Sequence, residues 1–247
     1  MLKHFKIAIS VALIMLIIQV DAISQIGNNI NIGAGIVTTN IISNNRATLP
    51  IVQSAGASFV GGSFEHAQPG IQLKGTYLFD NNPDLRFTTT FDYMLFSGRE
   101  RYGIPPNVVV LYEHDVNIAA LSIGLEYVWA NLDFANAKLY SGLDIQGSSY
   151  HSINFVQYIN YLDDYLLDSK LSERKSDAFR MGGNVRLGVE GRLRNRVYVN
   201  TGFAVGLLNL FGRDDERGEL LTPKKIFEPK ENILPIFQVF ILIQYNM

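Results

Sequence analysis

The chain has no cysteine among its 247 residues. Disulfide-stapled frameworks, zinc–thiolate sites and iron–sulfur clusters are all built on cysteine sulfur, so each is excluded. Charge is sparse as well: 18% of residues are charged, and 21 Lys and Arg against 23 Asp and Glu leave a net charge of -2. Nucleic-acid binding needs a basic footprint, so no nucleic-acid partner is expected. After the first 22 residues there is also no apolar run long enough for a membrane-spanning helix. Yet 47% of residues are apolar, 11% are aromatic and mean hydropathy is +0.10, which excludes a disordered chain. This apolar surplus without a helical span has to go somewhere.

The first segment reads as a signal peptide over 1–24. Lys3 and Lys6 precede an uncharged apolar run, Ile7 to Val20, and then Asp21-Ala22-Ile23-Ser24 supplies small residues. Cleavage after Ser24 puts Ala22 at the minus-three position, and cleavage after Ala22 is the alternative. No cysteine follows the run, so no lipid anchor is expected, and residues 25–247 form one exported domain.

That domain alternates with period two, the signature of strands with one apolar and one polar face. Ile71, Leu73, Tyr77 and Phe79 oppose Gln72, Lys74 and Thr76, while Leu85, Phe87, Phe91, Tyr93 and Leu95 oppose Arg86, Thr88, Thr90 and Asp92. Similar segments surround Leu121–Trp129, Leu139–Ile145, Val185–Val189, Val197–Leu207 and Phe237–Tyr245, with a weaker one at Ile30–Ile36. The count is eight strands, with ten as the alternative. Glycines within them, such as Gly124, Gly188 and Gly206, favour a tightly coiled closed barrel over an open sheet.

Connections alternate in length. Asp80 to Asp84, Asn131 to Asn136 and Leu193 to Asn195 are short, whereas alternation lapses over 43–68, 98–115, 148–177 and 212–232. In an up-and-down antiparallel arrangement, all the long connections then gather at one end. This predicts an all-β fold: an eight-stranded antiparallel transmembrane β-barrel with four long extracellular loops and three short periplasmic turns. The apolar stretches of about 9–11 residues suit a tilted crossing of a bilayer. Tyr77, Phe79, Tyr127, Trp129 and Tyr245 fall where an aromatic girdle belongs. A soluble lipocalin-type barrel or sandwich is the competing architecture.

On the polar face, Lys74, Arg86, Asp92, Glu126, Lys138, Asp144, Arg186 and Glu190 share one phase. An eight-stranded interior is filled by side chains, so these four bases and four acids are expected to form interior ion pairs. The same argument disfavours an open small-solute pore, the alternative function.

The pattern resembles the eight-stranded OmpA/OmpX-like outer-membrane barrels and the porin-like "outer membrane protein β-barrel domain" proteins. The resemblance implies residence in the outer-membrane lipid of a bacterium and insertion by the outer-membrane machinery through the C-terminal strand. Phe237, Val239, Ile241, Ile243 and Tyr245 match that strand, although the chain ends in Met247 where such proteins usually carry an aromatic residue. It also brings in lipid A deacylases, which carry a serine two positions after the catalytic histidine. His66, His114 and His151 are followed at that position by Gln68, Val116 and Ile153, so the spacing fails.

No enzyme, cofactor or metal is expected. His66, His114 and His151 lie in or beside long loops near Glu65, Glu113, Asp115 and Tyr150, but alternation points His114 inward and His151 outward. Within the third loop, Phe155, Ile159, Leu162 and Leu166 recur at helical spacing, predicting a short amphipathic helix or lid. Its aromatic residues Phe155, Tyr158, Tyr161 and Tyr165 make it the candidate surface for an extracellular ligand. In the fourth loop, Arg213, Asp214, Asp215, Glu216, Arg217, Lys224 and Lys225 read as solvated charge. A structural or loop-mediated surface role is the functional expectation.

Overall fold

A computed structural model describes residues 29–42, 44–53, 59–161, 166–223 and 230–247, so the signal-peptide assignment to 1–24 lies outside the described residues. Among the described residues eleven strands run in chain order: β1 (Ile30–Ile41), β2 (Val52–Gln53), β3 (Phe59–Val60), β4 (Gln68–Phe79), β5 (Asn82–Ile104), β6 (Val108–Leu132), β7 (Ala137–Tyr161), β8 (Leu166–Glu173), β9 (Ala178–Arg194), β10 (Val197–Phe211) and β11 (Pro235–Asn246). Around the barrel the order is β1, β4, β5, β6, β7, β9, β10 and β11, every neighbouring pair antiparallel. Closure is made by β1 against β11, from Asn31 opposite Asn246 to Ile41 opposite Ile236. These are the eight strands of an up-and-down barrel. β8 adds to the outer edge of β7, and β2 with β3 forms a small separate hairpin.

The alternation is explained by which side each residue faces. Outward positions are apolar and exposed: Trp129 at 57%, Leu143 at 66%, Ile145 at 68% and Ile243 at 63% relative accessibility. Their inward neighbours, such as Glu126, Asp144 and Gln244, are buried. An apolar belt around a polar interior is the reverse of a water-soluble barrel, and it is the surface of a transmembrane β-barrel. Among the described residues no helix is long and apolar enough to cross a membrane. Tyr127, Trp129 and Tyr245 stand exposed toward the short-turn end, and Tyr77 packs edge-on against Phe79 at 5.5 Å between centroids.

Three short turns close one end: Asp80 and Asn81, the stretch Asp133 to Asn136, and Asn195 with Arg196. At the other end the strands overshoot the belt. β5, β6 and β7 contain 23, 25 and 25 residues, more than twice the roughly 9–11 that a crossing needs. The expected second loop, 98–115, is therefore mostly strand, interrupted only by the turn at 105–107. Over its described residues the expected helix in the third loop is also strand, and Leu162 lies outside them. Phe155 lies opposite His114 and Tyr158 opposite Leu111 as β7 continues to Tyr161. A separation of four residues returns to the same face in a strand as well as in a helix, so Phe155 and Ile159 satisfy both patterns.

Glycine permits close approach inside the ring. A Cβ on Gly188 would sit 2.4 Å from the hydroxyl oxygen of Tyr140, a fully buried side chain that donates to Asn200 Oδ1 at 2.6 Å. Gly188→Val is expected to destabilise the barrel by about 1–3 kcal/mol through overpacking. A lower urea midpoint in detergent micelles would report it, whereas an unchanged midpoint would mean that Tyr140 swings aside freely.

Candidate functional site

The barrel interior is built by inward positions of facing strands. Lys74 Nζ lies 2.5 Å from Glu126 Oε1, across the lumen from β4 to β6, and 4.7 Å from the centroid of the Tyr140 ring. Arg86 on β5 meets Glu190 on β9 at 3.0 Å. Arg186 joins two acids, Asp144 at 2.9 Å and Glu126 at 3.4 Å, and donates to Thr90 at 3.2 Å. Lys74, Glu126, Arg186 and Asp144 thus form one connected lattice, and Arg86 with Glu190 a separate pair, all nearly inaccessible to solvent. Two of the eight expected members stand apart. Asp92 is buried but accepts from Gln72 Nε2 at 2.7 Å instead of pairing with a base. Lys138 is half-buried one residue past the start of β7, where the chain leaves the turn and water is within reach. Among the described residues it makes no ion pair.

Above the ion pairs the interior changes character. Met94, Phe96, Val116, Ile118 and Tyr150 project inward from the strands and pack with Ala47 and Phe64 of the first connection and Leu220, Leu221 and Leu234 of the last. The two connections fold into the barrel mouth and seal it with an apolar layer. The fourth loop is consequently more than solvated charge. Arg217 donates to the Ser176 and Leu220 carbonyls, Lys175 to the Glu219 carbonyl at 2.7 Å, and Asp214 Oδ1 accepts from the Glu216 N–H at 2.9 Å. Asp215 and Arg213 line an open cleft of about 680 Å³ with Lys230 and Asn232. Lys224 and Lys225 lie outside the described residues. Anchoring the loop, Arg180 meets Glu231 Oε2 at 2.6 Å. Burial alone would raise the Glu231 carboxyl, but hydrogen bonds from Arg180, Asn209 and the Asp214 N–H outweigh it and hold it below the ordinary range.

Higher still, β5, β6, β7 and β8 continue as a sheet standing on the rim. Its inner face is covered by the β2–β3 hairpin: Ile51 and Phe59 pack on Val110, Tyr112 and Phe155. Phe59 lies edge-on to Phe155 at 4.6 Å, and Tyr112 stacks parallel to Phe155 at 6.1 Å. Phe155 is therefore a buried strut and is withdrawn from the candidate interaction surface. Tyr158 faces outward and lines a cleft of about 380 Å³ with Arg101, Leu111, Glu113 and Asn160, and Tyr161 is exposed. Tyr165 lies outside the described residues. The three histidines are separated. His66 is exposed, His114 is buried between Phe64 and Phe155, and His151 is on the outer wall. Among the described residues no three His, Asp or Glu side chains gather as a metal site.

No protein-family profile matches the chain, and no curated protein matches it. Solved structures similar to it include Neisserial surface protein A, with 11% identity over 88% of this chain and 97% of that one and a TM-score of 0.46. The attachment invasion locus protein Ail of Yersinia pestis covers 89% of this chain and 99% of its own at 9% identity, with a TM-score of 0.41. Ail in complex with the heparin analogue sucrose octasulfate gives 10% identity, 89% and 98% coverage and a TM-score of 0.45. At such values the likeness carries no argument about activity, and the fold stands on this chain's own strand pairing.

Proposed function

We propose that the chain, exported by residues 1–24 and inserted through its C-terminal strand, sits in the lipid of a bacterial outer membrane as a closed barrel. Its working part is the sheet that it holds above the cell surface. The observation that carries this reading is the position of closure. The lumen is filled by the Lys74–Glu126–Arg186–Asp144 lattice and roofed by Phe64, Phe96, Leu220 and Leu221, while β5 to β8 extend well past the apolar belt. Sealed interiors conduct nothing, so a role in contact with an extracellular ligand is favoured over solute passage. Tyr158, Leu111 and Arg101 on the outer face present the amphipathic surface that such a contact uses.

Two measurements test it. An epitope inserted between Pro106 and Asn107 is expected to bind antibody on intact cells, and one inserted between Asn195 and Arg196 only after the cells are opened. The opposite accessibility would invert the topology and remove the proposal. Purified barrel in planar bilayers is expected to give no stable unitary conductance, and regular channel steps would restore the pore.

A further inference from the structure

On the outer wall, three residues form a hydrogen-bond chain that the surface-contact reading does not use. Ser149 and His151 are two apart on β7, so both project outward from the same face. Ser149 is in register with Phe179 and Tyr150 with Ala178, which brings Asp177, just before β9, alongside His151. Ser149 Oγ lies 3.1 Å from His151 Nε2, and His151 Nδ1 lies 3.0 Å from Asp177 Oδ2. The partners dictate the tautomer. A carboxylate can only accept, so Nδ1 carries the hydrogen and Nε2 is left as the acceptor for the serine hydroxyl. On Asp177, burial would raise the carboxyl, but hydrogen bonds from Arg174 and His151 outweigh it and hold it below its ordinary range, hence ionised at neutral pH.

Position supplies the second argument. Along β7 the outward residues run from Leu143 and Ile145 through Gly147 to Ser149 and His151, so the chain of three begins where the apolar belt ends. Phe179, 60% exposed, and Met181 flank it on β9. In a bilayer this is the depth at which acyl chains give way to headgroups, and it is where the ester bonds of lipids lie. About half of each of the His151 and Asp177 side chains is accessible, so substrate and water can reach the imidazole. A bulge interrupts the β6–β7 ladder between Ser152 and Asn154, two residues past His151, a feature that recurs beside active sites because it re-aims side chains.

We propose that Ser149, His151 and Asp177 are the nucleophile, general base and orienting carboxylate of an acyl-ester hydrolase acting on lipids of the outer leaflet. Ser149 Oγ attacks the ester carbonyl carbon while His151 Nε2 takes the hydroxyl proton. The tetrahedral adduct collapses with cleavage of the bond from carbonyl carbon to alkoxy oxygen, and the imidazolium returns its proton to the leaving alcohol. Water then attacks the acyl-serine, His151 takes its proton, and as the bond between carbonyl carbon and Oγ breaks the imidazolium returns that proton to Oγ, which restores the serine and releases a fatty acid. Arg174, which donates to Asp177 Oδ1 at 2.9 Å, places positive charge beside the site and favours a phosphate-bearing lipid.

The lipid substrate rests on the membrane placement proposed above, whereas the nucleophile does not, so the test has two arms. Full-length barrel folded in detergent micelles, its folding checked by heat-modifiable migration, is treated with a fluorophosphonate probe and the modified peptide is identified by mass spectrometry. Labelling of Ser149 is expected. It should vanish in Ser149→Ala, slow by about 100-fold or more in His151→Gln, and slow also in Asp177→Asn. All three side chains are on the exterior and their replacement leaves the core intact. A folded barrel with Ser149 unlabelled overturns the proposal. In the second arm, phosphatidylglycerol vesicles carrying the barrel are expected to release fatty acid in a Ser149-dependent way. Labelling without release overturns the lipid substrate, and outer-membrane fractionation separately decides the placement.

Discussion

Replacing Glu126 with alanine is expected to destabilise the folded barrel by about 3–5 kcal/mol, the cost of stranding a buried charge by removing its partner. Glu126 Oε1 serves two cations, Lys74 at 2.5 Å and Arg186 at 3.4 Å. Without it Arg186 keeps Asp144, but Lys74, 2% exposed, retains only the hydroxyl and ring face of Tyr140. The asymmetry gives an internal control. Lys74→Met leaves Glu126 still paired with Arg186 and is expected to cost much less, and Lys74→Met combined with Glu126→Gln should recover most of the loss, because well-packed neutral residues can replace a buried pair. The single tryptophan, Trp129, sits exposed on the outer wall and reports unfolding in urea by its change of environment. A Glu126→Ala midpoint equal to that of Lys74→Met would show that the lattice contributes nothing through charge.

Stability is also expected to fall on acidification because of His114. Burial holds this imidazole down to about 3, with the Gly62 backbone opposing the shift and the charge of Lys175 adding to it. The unfolded chain takes up this proton below about pH 6.5 while the folded chain does not, so protons favour unfolding throughout that interval. The folded state therefore keeps the full benefit above pH 6.5 and loses it at about 1.4 kcal/mol per pH unit on the way down, roughly 3 kcal/mol by pH 4. His114→Phe suits a site whose neighbours are Phe64 at 5.1 Å and Phe155 at 6.1 Å. It should flatten the dependence of the urea midpoint on pH between 6.5 and 4. A variant with the same slope as the parent chain would remove His114 as the source.

Several features were legible without coordinates because they are local. A pleated strand sends alternate residues to opposite faces, so the outward set Leu121, Ile123 and Leu125 and the inward pair Ser122 and Glu126 could be separated by counting. Turn residues such as Asp80 and Asn81 and the order of long and short connections completed the up-and-down topology. The extensions above the belt have no such signal, because there the two faces exchange chemistry. On leaving the belt, β6 keeps its pleat but exchanges chemistry: Glu113, Asp115 and Asn117 face out, while Val110, Tyr112 and Val116 face in. The apolar outward pattern stops at Ala119, which looks like the end of a strand and marks only the end of the lipid. Phe155 follows the same exchange: above the belt the inward face is the apolar one, so its ring is buried against Phe59 and Tyr112.

The sequence by itself determined the up-and-down antiparallel order, which residues of the belt face lipid and which the lumen, and the absence of any thiol chemistry, because each depends on composition or on the two-residue period, whereas the choice of eight strands over ten came from the pairing that closes the ring. Only the tertiary structure decided which charges meet. Arg86 and Glu190 are separated by 104 positions, and their contact at 3.0 Å depends on how closure offsets one strand against another across the lumen. It also decided that the first and last connections fold inward as a roof, that Lys138 stays near water, and that Ser149, His151 and Asp177 come together on the outer wall. Those outcomes depend on register and closure, which are properties of the whole ring and have no signature in a single strand.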